Sequence, residues 1–397
     1  MTTSTPCLPA RLARRIALPL ACALSMLPLQ AGAQAPGKVT IGVVTALTGP
    51  LAAPGKFQMN GFRLAEEETN AGGGITIGGR KLQVELKVYD TRGNPGEGAS
   101  AMQRLVSVDR VPVVMGELSS GVAAAIAPIA EDNAVPFILT VPTGPNLTEQ
   151  GQSYVFRVNS HTNQLNAAIS DFLARQGWRP ISFIAWNNDA GRGGVNGMKE
   201  MLETTKGGYT GYFNVGEVDF SSHISNIRAN KSAAVMLFMD EEPGSLAIKQ
   251  IRDAGLKVHL IGTLAMGSDR FLKRLDAEKL NGMVQYNAFP PNSSIPRIKN
   301  FSTRYQKKYG EEAHGFAAQS YDALMVALAA MQKAGTATDG RAIRAALAAI
   351  DHDGVIGKIK FDRKGQANPP VYVTQWCPDG KRRILYPENM KAGCGAG

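Results

Sequence analysis

Cysteine is scarce, four in 397 residues, which excludes a disulfide-stapled scaffold and a thiolate metal cluster as the basis of the fold. The five histidines, His161, His223, His259, His314 and His352, lack the spacing of a metal site, and His161, before a helical stretch, reads as a surface residue. No Gly-x-Ser-x-Gly and no His-Glu-x-x-His occurs, so hydrolase and metalloprotease signatures are missing. Basic runs are short: the longest is Lys381-Arg382-Arg383, with no aromatics interleaved. The formal charge of +10 is therefore scattered over a solvated surface and does not form a nucleic-acid or membrane patch. Past the first thirty residues no apolar run is long enough to cross a bilayer, which takes about 20 residues.

The first stretch carries Arg11, Arg14 and Arg15, an apolar run from Ile16 to Leu29, and then Ala31-Gly32-Ala33. That order is a secretory signal with a small-residue cleavage site, and the expected signal peptide is residues 1–33. Pro19 and Pro28 break the run, which is too short for a membrane anchor. A lipoprotein cysteine at Cys22 is the lesser reading, because Leu20 stands one place too close to it. Cleavage would remove three arginines and no acid, leaving a charge of +7, and would leave Cys377 and Cys394 as an even pair in an oxidising compartment. The expectation is export to the periplasm with a disulfide that ties down the tail.

From Lys38 onward, short β-branched runs alternate with amphipathic stretches. The runs include residues 39–44, 82–90, 111–116, 135–140, 181–186, 233–239 and 258–262; several are apolar throughout, as strands buried on both faces are. Helical patterning covers Pro95–Val108, Gly121–Asp132, Asn163–Gln176, Gly194–Thr204 and Gly244–Ala254. This alternation predicts α/β architecture with parallel sheets in two Rossmann-like lobes. The expected lobes are residues 34–156 with about 288–357, and 157–287 with about 358–397. Helices are expected between Pro296 and Ile350, and short strands after them.

Ligands of open α/β sheets bind beyond the carboxyl ends of the strands. After the third run comes Glu117-Leu118-Ser119-Ser120-Gly121, where a helix start offers free N–H groups to an anion; plain N-capping by the serines is the alternative. After the fourth comes an irregular loop, Thr140 to Thr148, too rich in Pro and Gly for an α-helix. After Trp186, Gly191, Gly193 and Gly197 form a loosened dinucleotide fingerprint with Glu217 about 20 residues on. Its spacing is off by one residue and an exported chain meets no such cofactor pool, so no cofactor is expected; Asp189 or Arg192 of that loop would instead face a ligand cleft. Gly72-Gly73-Gly74 and Gly78-Gly79 read as a turn.

The segments VTIGVVTALTGPLA, NAGGGITIGGRKLQVELKVYDTRGNP, MGELSSG, PFILTVPTGPNLTEQG, QIRDAGLKVHLIG and SYDALMVALAAM, in this order, resemble the Leu/Ile/Val-binding branch of type I periplasmic binding proteins. The resemblance runs from Lys38 nearly to Tyr386. It implies two lobes joined by three crossovers, near Phe156, Asn287 and Gly357, that bend as a hinge around a ligand. It also implies a non-enzymatic, monomeric receptor that delivers a small-molecule carboxylate to ABC permease subunits; an exported sensor handing its ligand state to a membrane receptor is the alternative, and an enzyme the remoter one. Carried over to matching positions, the ligand carboxylate falls to Ser120, Thr143 and the backbone at Val141, with Ser119 beside them at the helix start. The sequence departs from the amino-acid binders at Pro54 and Ala190, where they have tyrosines, and at Leu264, where they have an acid. A buried ammonium without a counter-charge costs several kcal/mol. Either Asp240, Glu241, Glu242 or Asp189 supplies that charge, or the ligand is an amine-free aromatic or aliphatic acid packed on Trp186, Leu264, Met266 and Phe316.

Overall fold

In a computed structural model, residues 37–149, 151–202, 208–266, 270–386 and 394 are described. The expected signal peptide lies outside them.

Two sheets organise the chain. The first contains β1 (Gly37–Thr45), β2 (Ile75–Ile77), β3 (Arg80–Asp90), β4 (Val114–Gly116), β5 (Phe137–Leu139) and β6 (Val155–Arg157), in the order β2-β3-β1-β4-β5-β6. All neighbours are parallel except the β2–β3 hairpin. The second contains β7 (Ile181–Trp186), β8 (Thr210–Phe213), β9 (Ala234–Phe238), β10 (His259–Gly262) and β11 (Val284–Asn287). After a small hairpin of β12 (His352–Asp353) and β13 (Lys358–Ile359), the chain returns as β14 (Tyr372–Trp376) and β15 (Arg382–Tyr386) to finish the second sheet, ordered β15-β14-β11-β10-β9-β7-β8. β14 and β15 are antiparallel; the rest of that sheet is parallel.

Both faces of each sheet carry helices, and this is why several of the runs are apolar throughout. On β9, Val235 and Leu237 enter one core, with the helices Ser221–Ala229 and Glu241–Asp253, while Met236 and Phe238 enter the other, with Thr162–Gln176 and Asp189–Met201. The first sheet is likewise flanked by Pro95–Ser107 and Ser120–Asp132 on one side. Its other side holds Ala52–Ala71 and the later helices Pro296–Tyr309, Gly315–Ala334 and Gly340–Ala348. The chain thus leaves the first sheet after β6, comes back after β11, and leaves again after β13.

Several element boundaries differ from expectation for local reasons. Pro112 and Pro136 cannot donate to a ladder, so β4 and β5 begin beyond them. The helix after β7 starts at Asp189 and not at Gly194, because the Asn188 side chain caps it by accepting from the Gly191 N–H at 2.9 Å. The helix after β9 starts at Glu241, with Asp240 at the capping position, where Gly244 was expected. Residues 75–77, read as part of a turn, pair with β3.

Candidate functional site

The carboxyl ends of β4 and β5 form the first wall. Gly116 has φ of 131°, and a Cβ there would lie 2.0 Å from the Val44 carbonyl oxygen, so only glycine lets β4 end this close to β1. Glu117 follows in the left-handed region, φ 57°, a conformation that costs energy for a non-glycine residue and persists only when over-determined. It is over-determined here. The fully buried Glu117 carboxylate accepts from the Ser119 N–H at 3.2 Å and the Thr91 hydroxyl at 2.8 Å, and its carbonyl accepts from the Gln58 amide at 2.9 Å. Burial pushes this carboxyl up, against the opposing hydrogen bonds of Leu118, Ser119 and Thr91.

That turn aims Ser119 and Ser120 outward. Ser119 is the N-cap of the helix Ser120–Asp132, yet its hydroxyl caps nothing, so plain capping does not account for it. The Ser120 hydroxyl accepts from the Gly144 N–H at 3.1 Å and so joins the helix start to the loop after β5. The first-turn N–H groups at Ser120 and Gly121 have no intrahelical partner and sit at the positive end of the helix dipole.

The loop after β5, which ends in a single 3₁₀ turn at Pro145–Leu147, is held from behind by Arg157. This side chain is fully buried. Its guanidinium donates to the carbonyls of Gly144 at 2.7 Å, Pro142 at 3.2 Å and Pro145 at 3.4 Å, to the Thr148 hydroxyl at 2.8 Å, and to Gln366 Oε1 at 2.6 Å. Asn159 donates to the Val141 carbonyl at 3.2 Å and accepts from Gln319 at 2.9 Å. The Thr143 carbonyl accepts from the backbone and hydroxyl of Thr162, at 2.9 and 3.0 Å. Ser119, Ser120, Val141 and Thr143 are therefore brought into one rigid loop pair, with Thr143 half-buried at its surface.

The second wall lies at the ends of β7, β9 and β10. Trp186 is half-buried and stacks on Phe213 with centroids 4.3 Å apart. Asp240 is open to solvent, yet the protein around it raises its carboxyl above the usual range, opposed by a hydrogen bond from the Trp186 side chain. Leu264 packs in an apolar cluster with Phe238 and Tyr286, and Phe316 joins that cluster from the start of a helix that covers the first sheet. Phe316 continues into a short aromatic row: its ring meets His314 edge-on at 4.5 Å, and His314 stacks on Phe57 at 4.6 Å.

Other expected residues are placed differently. Met266 is fully buried in the core on the opposite face of the second sheet, with Phe271, and offers no surface to a ligand. The exposed Arg192 guanidinium lies 4.3 Å over the Tyr212 ring and donates to Asn187 at 2.5 Å. Asp189 is the first residue of its helix. Gly191 of the loosened fingerprint packs its Cα against the Trp186 backbone, since a Cβ would lie 2.2 Å from that carbonyl. His161 forms a capping box with Gln164 at the start of Thr162–Gln176. Cys377 and Cys394 are joined, with Cα atoms 5.2 Å apart. Sequence reasoning missed Arg157, Asn159, Glu117, Phe57 and His314. The phrase VFRVNSHTNQ held a signal for the first two, two strongly polar side chains inside an apolar strand end.

Comparison with known proteins follows the same lines. The periplasmic binding protein family profile matches residues 38–381. A Leu/Ile/Val-binding protein homolog from Brucella melitensis is 28% identical over 354 residues, covering 86% of this chain and 92% of its own. A branched-chain amino acid transporter substrate-binding protein from Streptococcus pneumoniae, solved with isoleucine, is 25% identical with a TM-score of 0.77, over 88% of this chain and 100% of that one. An ABC transporter solute-binding protein from R. palustris, solved with benzoate, shares the fold at 21% identity and a TM-score of 0.77, over 88% and 96%. These relatives bind solutes and are not enzymes. The chain belongs to the periplasmic binding protein family, with the two-lobed α/β fold of its branched-chain amino acid type.

Proposed function

We propose that this chain is the periplasmic solute receptor of a branched-chain-amino-acid-type ABC importer and holds a small carboxylate between its lobes. Ser119, Ser120, Thr143 and the backbone at Val141 take the carboxylate; Trp186, Leu264 and Phe316 take the rest. The observation that carries this reading is the start of the helix Ser120–Asp132. Unpaired N–H groups and an uncommitted Ser119 hydroxyl stand there beside a loop that four hydrogen bonds from Arg157 hold in place. Such a site takes an anion without further rearrangement.

The opposite wall supports an amine-free aromatic or aliphatic acid. Leu264 sits in an apolar cluster where an ammonium would need an acid. Asp240, the alternative partner, stands exposed at the capping position of Glu241–Asp253, where water screens its charge. Fold does not select between the classes, since related chains hold isoleucine or benzoate. A thermal-shift screen of the mature protein with leucine, isoleucine, valine, benzoate and short aliphatic acids tests the reading. Stabilisation reaches about 2.7 kcal/mol at 100 times the dissociation constant. A shift with the amine-free acids alone is expected; a shift with leucine and none with benzoate overturns the ligand class and leaves the carboxylate grip standing.

The remaining assignments belong to the same proposal. Residues 1–33 are removed on export, which N-terminal sequencing of periplasmic protein checks. The lobes divide near Phe156, Asn287 and Gly357, supported by the three passages of the chain between sheets. The partner is a pair of permease subunits, and the receptor acts as a monomer; co-purification from membranes and sedimentation test these.

A further inference from the structure

Arg157 is a fully buried guanidinium with no carboxylate within ion-pair distance among the described residues. Every hydrogen bond it makes ends on a neutral oxygen: three carbonyls, the Thr148 hydroxyl and Gln366. The surface acid Glu149 is the one charge that favours its ionised form, and burial lowers its pKa only to about 10, so it is a cation at neutral pH. A buried cation left without a counter-ion is destabilising.

The geometry points to a use for the charge. In a planar trans peptide the N–H is antiparallel to the C=O. The Pro142 carbonyl faces Arg157, so the Thr143 N–H faces away from it, toward the outer side of the loop; no hydrogen bond to that N–H occurs among the described residues. Arg157 therefore polarises the loop peptides from behind and stands one peptide layer from any anion on the loop's outer face. Gln366, bonded to its Nε, lies on the last crossover segment and also donates to the Asn159 carbonyl at 2.7 Å on the first. One side chain links the anion loop to two of the three connections between lobes.

We propose that Arg157 is a positioning residue whose charge, acting through the Pro142–Thr143 peptide, supplies the electrostatic half of carboxylate binding by this loop. The proposal rests on the carboxylate reading above. A unit charge at that remove, in a medium far less polar than water, changes affinity by tenfold or more.

The test compares full-length mature protein with Arg157→Lys and Arg157→Met by calorimetry. The probes are benzoate with benzamide and leucine with leucinamide. Neither variant can make the five bonds, but Lys keeps the charge. A charge role predicts that Met loses acid affinity at least tenfold more than Lys does, with amide affinity equal in both. A purely structural role makes Lys and Met fall alike for acid and amide, and that result overturns the proposal. Should Met fail to fold, Gln366→Glu pairs the guanidinium in place; it should weaken acid binding about tenfold and leave amide binding unchanged, and unchanged acid binding is again fatal to the idea. A wild-type chain that binds neither acid removes the carboxylate reading itself, an outcome seen before any variant is made.

Discussion

At the scale of single residues, the site is built from polar groups whose partners are almost all backbone. Ser120 is the plainest case: its hydroxyl satisfies the Gly144 N–H, so Ser120→Ala takes a ligand donor away and leaves a half-buried N–H unpaired. Losing one such bond costs about 1 to 3 kcal/mol, and the affinity for whichever acid stabilises the wild type should fall roughly tenfold or more by calorimetry. Thr143→Ser should retain most of the affinity. Asp322 gives a second residue-level prediction, about stability. It is buried in the middle of Gly315–Ala334 and accepts from the N–H groups of Val355 and Ile356, each at 2.8 Å, next to the third crossover. Burial outweighs those bonds and pushes its carboxyl up to about 7. Between about pH 4 and 7 the folded chain therefore holds a proton that the unfolded chain releases, so this group's contribution to stability declines as pH rises through that window. Urea denaturation of wild type and Asp322→Asn at pH 4.5 and 7.5 should show the wild type losing stability across the interval relative to Asn, by at most about 4 kcal/mol.

Among elements, the helices Ala52–Ala71 and Gly315–Ala334 of the first lobe approach each other closely. A Cβ at Gly61 would lie 2.1 Å from the Ala317 carbonyl oxygen, inside the partner helix's backbone. Gly61→Ala should lower unfolding stability by about 1 to 3 kcal/mol, because two packed helices have to separate. Gly193, in the exposed part of Asp189–Met201 with nothing within 4 Å of a built Cβ, should respond in the opposite sense and gain about 0.5 to 1 kcal/mol on substitution by Ala. The strands were readable for a related reason: β1, β7 and β9 are covered on both faces, so their composition alone announces them, while β3 alternates buried Leu82, Val84 and Leu86 with polar Gln83, Glu85 and Lys87. β6 and β8 were not, since three or four residues such as VFR and TGYF carry no period. Helix starts were misplaced where the first turn looked like loop: at Asn188, whose side chain caps the helix, and at Asp240, where Glu241, Glu242 and Pro243 precede the first apolar residue. Of the site, the two serines and Thr143 could be read because helix starts and Pro-Gly loops follow strand ends. The role of Arg157 could not, because it depends on carbonyls 12 to 15 residues away in the chain, on the Thr148 hydroxyl 9 away and on a Gln366 that is 209 residues away. Met266 was misread because an apolar residue one turn from a strand end faces either the cleft or the core, and composition does not say which.

For the molecule as a whole, the arrangement is that of a hinge: two sheets, three connections, and candidate ligand contacts on both sides. Small-angle scattering should record a smaller radius of gyration when the stabilising acid is added, with no change for an acid that gives no thermal shift. The Cys377–Cys394 link closes a stretch of 17 residues at the end of the second sheet. A constraint on a loop of that length is worth about 3 kcal/mol. Reduction should lower the melting temperature, and the unreduced protein should offer no thiol to iodoacetamide. The return of residues 296–348 to cover a sheet whose strands are finished by Arg157 reaches further than binding. Until those helices arrive, the side of that sheet with Ile41, Val43, Val84 and Met115 has only Ala52–Ala71 to lie against, and the second sheet still awaits β14 and β15. Neither half can mature while the chain is being synthesised. A polypeptide that stays incomplete in this way until its last segments emerge is well suited to being threaded through a membrane first and acquiring its shape afterwards.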